Sequence, residues 1–478
     1  MRLVMTKKPN FQDQVQQLLS EKKFQEVEHL ALTVMADDRE NPWVLKVLAS
    51  LYRSTKRFES GEAICKRALL NSPDDAACHT NYGNLLVDMN RMADALHHTK
   101  RAHELEPSSD RYLYNYAVAL RQAKKFKEAE AAYRELVRRD PENIEYRLAL
   151  GFVNLYQRKL DDGWDGYAVR INNKDLAYLK RIKAPEWKGE TDTKDKTLLV
   201  LGEQGFGDTI MIARFVPELA RRFKKVGLVC KKPLHRLFAG LPAEIILEDK
   251  SNFPQNYDYH IPLMSIPPLI EKDWLKWPEP TPLTIPPEAK KKFSGNYHKQ
   301  GERLRVGIVW SGSTTFTYND HRAVSVKRFH ELAARVPEVQ FFSFQKGPPE
   351  KELIAAGLGT IIPPGPEFED FADTAACAQH MDCVMMTDSS VAHLCGSIGV
   401  PLINLVHSIP YWLYFPEGPK VPMYPSWRLL WQPEAGEWDP VFKQAEQILK
   451  ALVKARAKGR LSHADVLKVI DKTMKKTA

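Results

Sequence analysis

Along the first third of the chain, small and large apolar positions recur with a spacing of 34 residues. Ahead of Pro107 stand Tyr82-Gly83, Leu86, Ala95 and Ala102. The same offsets ahead of Pro141 hold Tyr116-Ala117, Leu120, Ala129 and Leu136, and those ahead of Pro73 hold Leu48-Ala49, Tyr52, Gly61 and Ala68. Small residues recur where two antiparallel helices must approach closely, larger ones fill the gaps, and proline closes the second helix. A looser copy precedes, over residues 11–40. Another follows from Tyr146 to Arg170 and runs into Gly163-Trp164-Asp165-Gly166-Tyr167, a sequence that predicts a capping or adaptor element. Helix pairs with this pattern bury their apolar faces only by stacking, so a helical solenoid is expected.

The period and the residues at these offsets resemble tetratricopeptide repeats. The resemblance implies a concave face that takes an extended peptide or a protein partner; a spacer or dimerisation platform fits the same pattern.

From Lys196 the texture changes. Thr197–Leu201, Val226–Cys230, Glu244–Leu247 and Tyr259–Leu263 are short apolar runs, and a helix is expected from about Thr209, kinked or cut short at Pro217. Residues 267–303, rich in proline and then in lysine, read as a linker. Beyond them Val306–Trp310, Gln340–Phe344, Cys383–Thr387 and Pro401–Val406 read as strands, with helices near 326–335, 371–380 and 390–398. Strands alternating with helices predict two doubly wound parallel sheets. The fold class expected is α plus α/β. A repeat solenoid spans 1–172, a linker or adaptor 173–195, one Rossmann-like domain 196–290, a second 303–440, and a basic helical tail 441–478.

Composition adds limits. With 44% hydrophobic and 27% charged residues, the 478-residue chain is not mainly disordered or fibrous. No apolar run approaches the roughly 18–20 residues of a membrane helix, and the N-terminus lacks the apolar segment of a secretory signal. Six cysteines without a C-x-x-C pair fit reduced thiols, and a cytoplasmic location is expected.

Four stretches carry candidate chemistry. In Leu201–Thr209 (L-G-E-Q-G-F-G-D-T), Gly202, Gly205 and Gly207 lie between a strand and a helix, where backbone amides approach an anion. Asp208 sits where a P-loop carries lysine, which disfavours an NTPase. It is either a general base for an acceptor hydroxyl or a helix cap. In Met386–Pro401 a strand delivers Asp388, Ser389 and Ser390 to a helix start suited to a pyrophosphate, with His393 one turn in. His393 is either functional or structural. Trp310–Ser325 carries His321 and Arg322 on a polar loop, with Arg322 either a fork for diphosphate oxygens or a surface cap. Gln345 and Lys346 in F-F-S-F-Q-K-G, and Asp373 in D-F-A-D-T-A, read a base or ribose or are simple loop polarity.

GEQGFGDT, HRAVS, SFQKG, DFADTAA and TDSSVAHLCGSIGVP, in this order behind the repeats, resemble bacterial repeat-fused glycosyltransferases. Residues 196–440 are similar to the heptosyltransferase family (glycosyltransferase family nine). This resemblance implies a two-domain GT-B fold and a nucleotide-sugar whose diphosphate is held by D-S-S-V-A-H. It further implies Asp208 as general base and Arg322 at phosphate, where many family members have lysine. D-S-S-V-A-H stands where D-T-G/A-x-x-H is more usual. The order of repeats and transferase is also similar to that of protein O-linked N-acetylglucosamine transferases. No D-x-D occurs anywhere in the chain, so the expected reaction is metal-independent, with no cofactor; with Asp208 taking the acceptor proton, transfer is expected to invert. A non-catalytic repeat scaffold with a vestigial sugar-nucleotide module is the alternative.

Charge comes last. The net +9 is concentrated in residues 450–478, which hold nine Lys and Arg against two Asp. That places the excess away from any nucleic-acid module, and no nucleic-acid partner is expected. Leu461, Ala464, Leu467 and Val469-Ile470 predict a short amphipathic helix capped by Ser462. It is either solvated or in contact with an anionic membrane, which would place the protein at the inner membrane face.

Overall fold

The computed structural model describes residues 11–294, 303–316, 318–357 and 359–477. The chain falls into two compact units divided between Val153 and Asn154. The described residues begin with ten helices: α1 (Phe11–Ser20), α2 (Phe24–Asp37), α3 (Pro42–Ser54), α4 (Phe58–Asn71), α5 (Ala76–Asp88), α6 (Met92–Leu105), α7 (Asp110–Gln122), α8 (Phe126–Arg139), α9 (Ile144–Tyr156) and α10 (Leu160–Ala168). From α2 onward their starts repeat the 34-residue period, and Pro73, Pro107 and Pro141 each follow the end of a second helix by two residues. Both outlying copies, near 11–40 and 146–170, are helix pairs as expected. Close approach explains the small residues. A Cβ on Gly83 would lie 2.5 Å from Thr99 Cγ2, so only glycine fits between α5 and α6 there. The division between the compact units falls inside the last helix pair, ahead of the expected end of the repeats at 172.

The second unit contains two all-parallel sheets. The first joins β1 (Thr197–Leu201), β2 (Lys225–Cys230), β3 (Glu244–Leu247) and β4 (Tyr259–Pro262) in the order β3-β2-β1-β4. The second joins β5 (Leu304–Val309), β6 (Val339–Ser343), β7 (Ile361–Ile362), β8 (Cys383–Thr387), β9 (Leu402–Val406) and β10 (Trp427–Trp431) in the order β10-β9-β8-β5-β6-β7. β5, β6, β8 and β9 are buried along their whole length, which is why they read as unbroken apolar runs. In each sheet the strand order reverses once: between β1 and β4 in the first, between β5 and β8 in the second. Such switch points open a crevice at the carboxyl ends of the strands.

Several expectations need correcting. β7 and β10 escaped the reading of apolar runs. β7 is only two residues long, and β10 carries a charge at Arg428, whose buried guanidinium pairs with Asp471 and donates to Pro425 O at 2.8 Å. The stretch 267–294 is not a free linker. Trp274 is fully buried, meets Trp412 at 4.7 Å between ring centroids, and donates its indole N–H to Phe415 O at 3.0 Å. Residues 295–302 of the expected linker lie outside the described residues. The segment 173–195 also contributes to a core: Leu176, Leu179 and Ile182 are buried with Leu199 and Leu201 of β1.

The basic tail is part of the second α/β half. The helix Trp438–Arg456 buries Val441, Phe442, Ala445, Ile448, Leu449 and Leu452 against the same core that takes Val466, Ile470 and Met474 from the helix His463–Thr477. Ser462 and Asp465 form the expected cap, Ser462 Oγ accepting from Asp465 N at 3.2 Å. The apolar stripe that a membrane-surface helix needs is thus consumed inside the protein. No helix among the described residues is long and apolar enough to cross a membrane.

Candidate functional site

β1 ends in the glycine-rich turn, and the helix α11 (Phe206–Ile212) starts directly after it, three residues earlier than expected. A 3-10 turn follows, and α12 (Val216–Arg222) restarts with Pro217 in its first turn, where a missing N–H costs nothing. Gly205 caps α11. Asp208, third in the helix, reaches back so that one carboxylate oxygen accepts from Gly205 N at 3.2 Å. The capping role is therefore real, but it does not exhaust the residue. Burial, reinforced by the neighbouring Glu203 charge, pushes the Asp208 carboxyl up to about 6, well above an ordinary aspartate.

Glu203, in the same turn, has a completely buried side chain. Its Oε1 accepts from Arg170 Nη2 at 2.7 Å, from Arg170 Nε at 3.3 Å and from Met264 N at 3.3 Å, while its Oε2 is buried without a hydrogen-bond partner among the described residues. Arg170 also donates to Ser265 Oγ at 3.0 Å and lies 4.6 Å from the Tyr167 ring centroid. Met264 and Ser265 follow β4, so this cluster occupies the switch point of the first sheet.

The switch point of the second sheet holds the other motifs. β8 ends at Thr387, and Ser389 caps the helix Ser390–Ser397, its Oγ accepting from Val391 N at 3.4 Å. Asp388 does not point to solvent. Tyr414 donates to its Oδ1 at 2.6 Å, and its Oδ2 faces Arg322 Nη1 at 3.6 Å. Arg322 lies on a short helix, Asn319–Arg322, with its Nε on Asn319 Oδ1 at 3.1 Å and its guanidinium 4.7 Å from the Phe316 ring centroid. Asn404 Nδ2 completes the chain by donating to Tyr414 Oη at 3.1 Å. Burial raises Tyr414 well above its ordinary value, and the adjacent Asp388 charge adds to that, so the phenol stays a donor.

The two halves touch at Gly207. A Cβ there would lie 3.0 Å from His393 Cδ2 and 3.4 Å from Ser390 Cα. His393 pairs through Nδ1 with Tyr424 Oη at 3.2 Å and neighbours the Trp427 ring at 5.4 Å. Burial pushes it down to about 4, so the imidazole is neutral at pH 7 and meets any ligand as a hydrogen-bonding group, not a cation. Gly205, Gly207, Asp208, Arg322, Asp388, Ser389, Ser390 and His393 are thereby gathered around one contact.

The other three expected residues are placed differently. Gln345 is buried and spends its amide on backbone, accepting from Trp310 N at 3.1 Å and Ser311 N at 3.0 Å and donating to Ser311 O at 3.1 Å and Lys346 O at 3.0 Å. It joins the ends of β5 and β6 and leaves no free amide atom to read a base. Lys346 Nζ donates to Gly365 O at 2.8 Å. Asp373 is buried between Arg236 Nη1 at 3.1 Å and Lys292 Nζ at 2.7 Å; burial opposes its ionisation, but these two cations outweigh it and hold the carboxyl low. Arg236 also reaches Asp370 Oδ2 at 3.2 Å, so Asp373 ties the helix Phe371–Ala378 to the first α/β half. Sequence reading missed Arg170, Glu203, Arg236 and Tyr414. Only Glu203 stood inside a quoted motif, as a second carboxylate five residues before Asp208.

All six cysteines are buried, and burial first, with neighbouring Glu62 and Glu248 adding to it, raises Cys65 and Cys230 to about 12, so neither is a ready nucleophile. Among the described residues no group of three or more His, Cys, Asp or Glu is arranged to hold a metal ion.

Residues 81–144 match the tetratricopeptide repeat family. A helical repeat region of that kind therefore precedes the α/β part. Protein FlbA of Caulobacter vibrioides is 24% identical over 442 residues, which is 84% of this chain and 72% of that protein. Among solved structures, MamA from Desulfovibrio magneticus RS-1 covers 36% of this chain and 93% of its own length at 19% identity, with a TM-score of 0.30. PilF of Pseudomonas aeruginosa covers 35% of this chain and 78% of its own length at 16% identity, with a TM-score of 0.32.

Proposed function

We propose that the chain is a glycosyltransferase of GT-B type, similar to the heptosyltransferases, that moves a sugar from a nucleoside-diphosphate sugar to an acceptor hydroxyl. One observation carries the reading. Gly207, without a side chain, lets the turn bearing Asp208 close onto the helix start bearing Ser389, Ser390 and His393. A carboxylate poised near neutral pH and an anion-binding helix start then share one contact, each beside the switch point of its own sheet.

In this reading the acceptor oxygen attacks the anomeric carbon as its proton passes to Asp208. The bond from that carbon to the diphosphate oxygen breaks, the nucleoside diphosphate leaves, and the configuration inverts. The amides at Ser389 and Ser390 and the guanidinium of Arg322 take up charge on the leaving group, with Asp388 and Tyr414 holding Arg322 in place. Neutral His393 contributes a hydrogen bond. The repeats recruit a protein acceptor or partner.

The test uses the full chain with ADP-, UDP-, GDP- and dTDP-sugars, reading thermal stabilisation and turnover. One nucleotide class should stabilise the protein, and Asp208→Ala should abolish transfer while leaving that stabilisation intact. Surviving turnover in Asp208→Ala rules out its role as base. The match of residues 81–144 to a protein-interaction repeat favours a second reading, a scaffold without catalysis. That reading stands if no sugar nucleotide stabilises the wild type or turns over.

A further inference from the structure

Buried ion pairs normally satisfy both carboxylate oxygens, because an uncompensated oxygen in a low-dielectric interior is costly. The Arg170–Glu203 pair departs from this rule in one direction only. Both guanidinium bonds and the Met264 amide fall on Oε1, and among the described residues Oε2 has no hydrogen-bond partner although the side chain is completely buried. Arg170 is not free to move across, since its Nη2 is also bound to Ser265 and its face lies on Tyr167. Glu203 and Asp208 flank the same glycine turn, five residues apart, the second anchored by its bond to Gly205 N.

We propose that Glu203 is a positioning residue for Asp208: its unpaired oxygen presents a fixed negative charge that keeps the Asp208 carboxyl able to take a proton from the acceptor. The inference rests on the reading of Asp208 as base. The hydrogen bond that Asp208 accepts from Gly205 N in the first turn of its helix favours the ionised form and by itself would leave a weak base. Burial first, and the Glu203 charge second, counter it. The other groups around Asp208 are Tyr167 beside Arg170, and Tyr411, Tyr424 and Asp388 from the second α/β half. Of these Asp388 is already shared between Tyr414 and Arg322, which leaves Glu203 as the dominant charge on Asp208. The arrangement gives Arg170, which no motif contains, a purpose: it pays the cost of burying Glu203 without neutralising the oxygen that matters.

The test measures the ionisation of Asp208 directly, by carboxyl carbon-13 resonance in the full-length protein without substrate. Glu203→Gln keeps an oxygen for Arg170 and removes the charge. The proton affinity of Asp208 should then fall by about threefold or more, and the acid limb of the transfer-rate profile should move to lower pH by the same factor. Glu203→Asp, which keeps the charge, should hold the Asp208 midpoint at the wild-type value. An unmoved Asp208 midpoint in Glu203→Gln, or an equal shift in Glu203→Asp, overturns the proposal even if activity drops. Absence of transfer by the wild type overturns the transferase reading instead, and the resonance result still decides whether Glu203 controls Asp208.

Discussion

Gly207 and Asp208 are adjacent, and their separate constraints define the site. Replacing Gly207 by Ala introduces a methyl group 3.0 Å from the His393 ring and 3.4 Å from the Ser390 backbone, which cannot retreat without moving a helix. Gly207→Ala is expected to lower transfer by at least tenfold while far-UV circular dichroism stays at wild type, because the strain falls on the contact between the halves and not on either core. Asp208 adds a pH signature. A carboxyl at about 6 in the folded chain against 3.8 when free binds more protons folded than unfolded between those values. Its ionisation therefore subtracts stability as pH rises through that window, and the base form that the proposed transfer requires appears only above it. The rate of transfer should fall below about pH 6, measured with saturating donor. A flat profile down to pH 4.5 excludes Asp208 as base. The sequence left base and cap as equal alternatives for this residue. They are compatible, since one oxygen meets Gly205 N while burial sets the proton affinity.

The helix pairs repeat more than their apolar positions. Lys22, Lys56, Asn90, Lys124 and Arg158 all adopt a left-handed backbone with φ between 57° and 61°, again 34 residues apart, in the turn between the two helices of each pair. None is glycine, so nothing in the residue types marks the conformation; the tight turn between stacked helices imposes it. A second feature belongs to one pair only. His79 on α5 and His98 on α6 share a hydrogen bond between their Nδ1 atoms at 2.9 Å, and His79 Nε2 is bound to Pro73 O at 2.9 Å. Burial first, and the neighbouring His79 second, push His98 down to about 4. Its folded value lies below its unfolded value of 6.5, so protonation favours the unfolded chain. Stability from this contact is complete above pH 6.5 and is lost as pH falls toward 4. Thermal unfolding of the wild type and of His98→Gln should converge over that window, with the wild type the more pH-sensitive. Equal slopes would show that the pair is not a titrating contact.

In the second unit, strand order decides where the motifs go. The glycine turn after β1 and the D-S-S-V-A-H segment after β8 each fall where their sheet reverses direction, and Arg322 follows β5, the neighbour of β8. The C-terminal helices close the second sheet. Ile470 is completely buried in that core, so Ile470→Ala should destabilise the protein by about 2–5 kcal/mol. Chemical denaturation followed by tryptophan fluorescence reads this, because Trp310, Trp427 and Trp438 lie in or beside the same half. A loss under about 0.5 kcal/mol would mean that the helix is a peripheral addition, as expected of a surface substitution.

Local pattern alone was enough for the repeats and most strands. A 34-residue spacing of Gly61, Ala95 and Ala129, or an unbroken run such as Thr197–Leu201, needs no distant partner to be recognised, because helix approach and two-faced burial restrict residue type position by position. The Asp208 and Ser389–His393 motifs were legible for the same reason, each lying on one short turn. What depended on distant chain segments was not. Arg428 breaks the apolar run of β10, and the partner that lets it be buried, Asp471, lies 43 residues later. Asp373 and Gln345 stay open between ligand contact and loop polarity until Arg236, Lys292 and the backbone at Trp310 occupy them. The basic tail reads as a solvated helix or a membrane contact until its apolar residues meet the core that the helix Trp438–Arg456 shares. In each case the residue type states what a side chain can bond, and only the folded chain supplies the partner. The distinction is physical: periodicity records burial, which a residue carries in its own chemistry, whereas pairing is a property of two residues and exists only once the chain has brought them together.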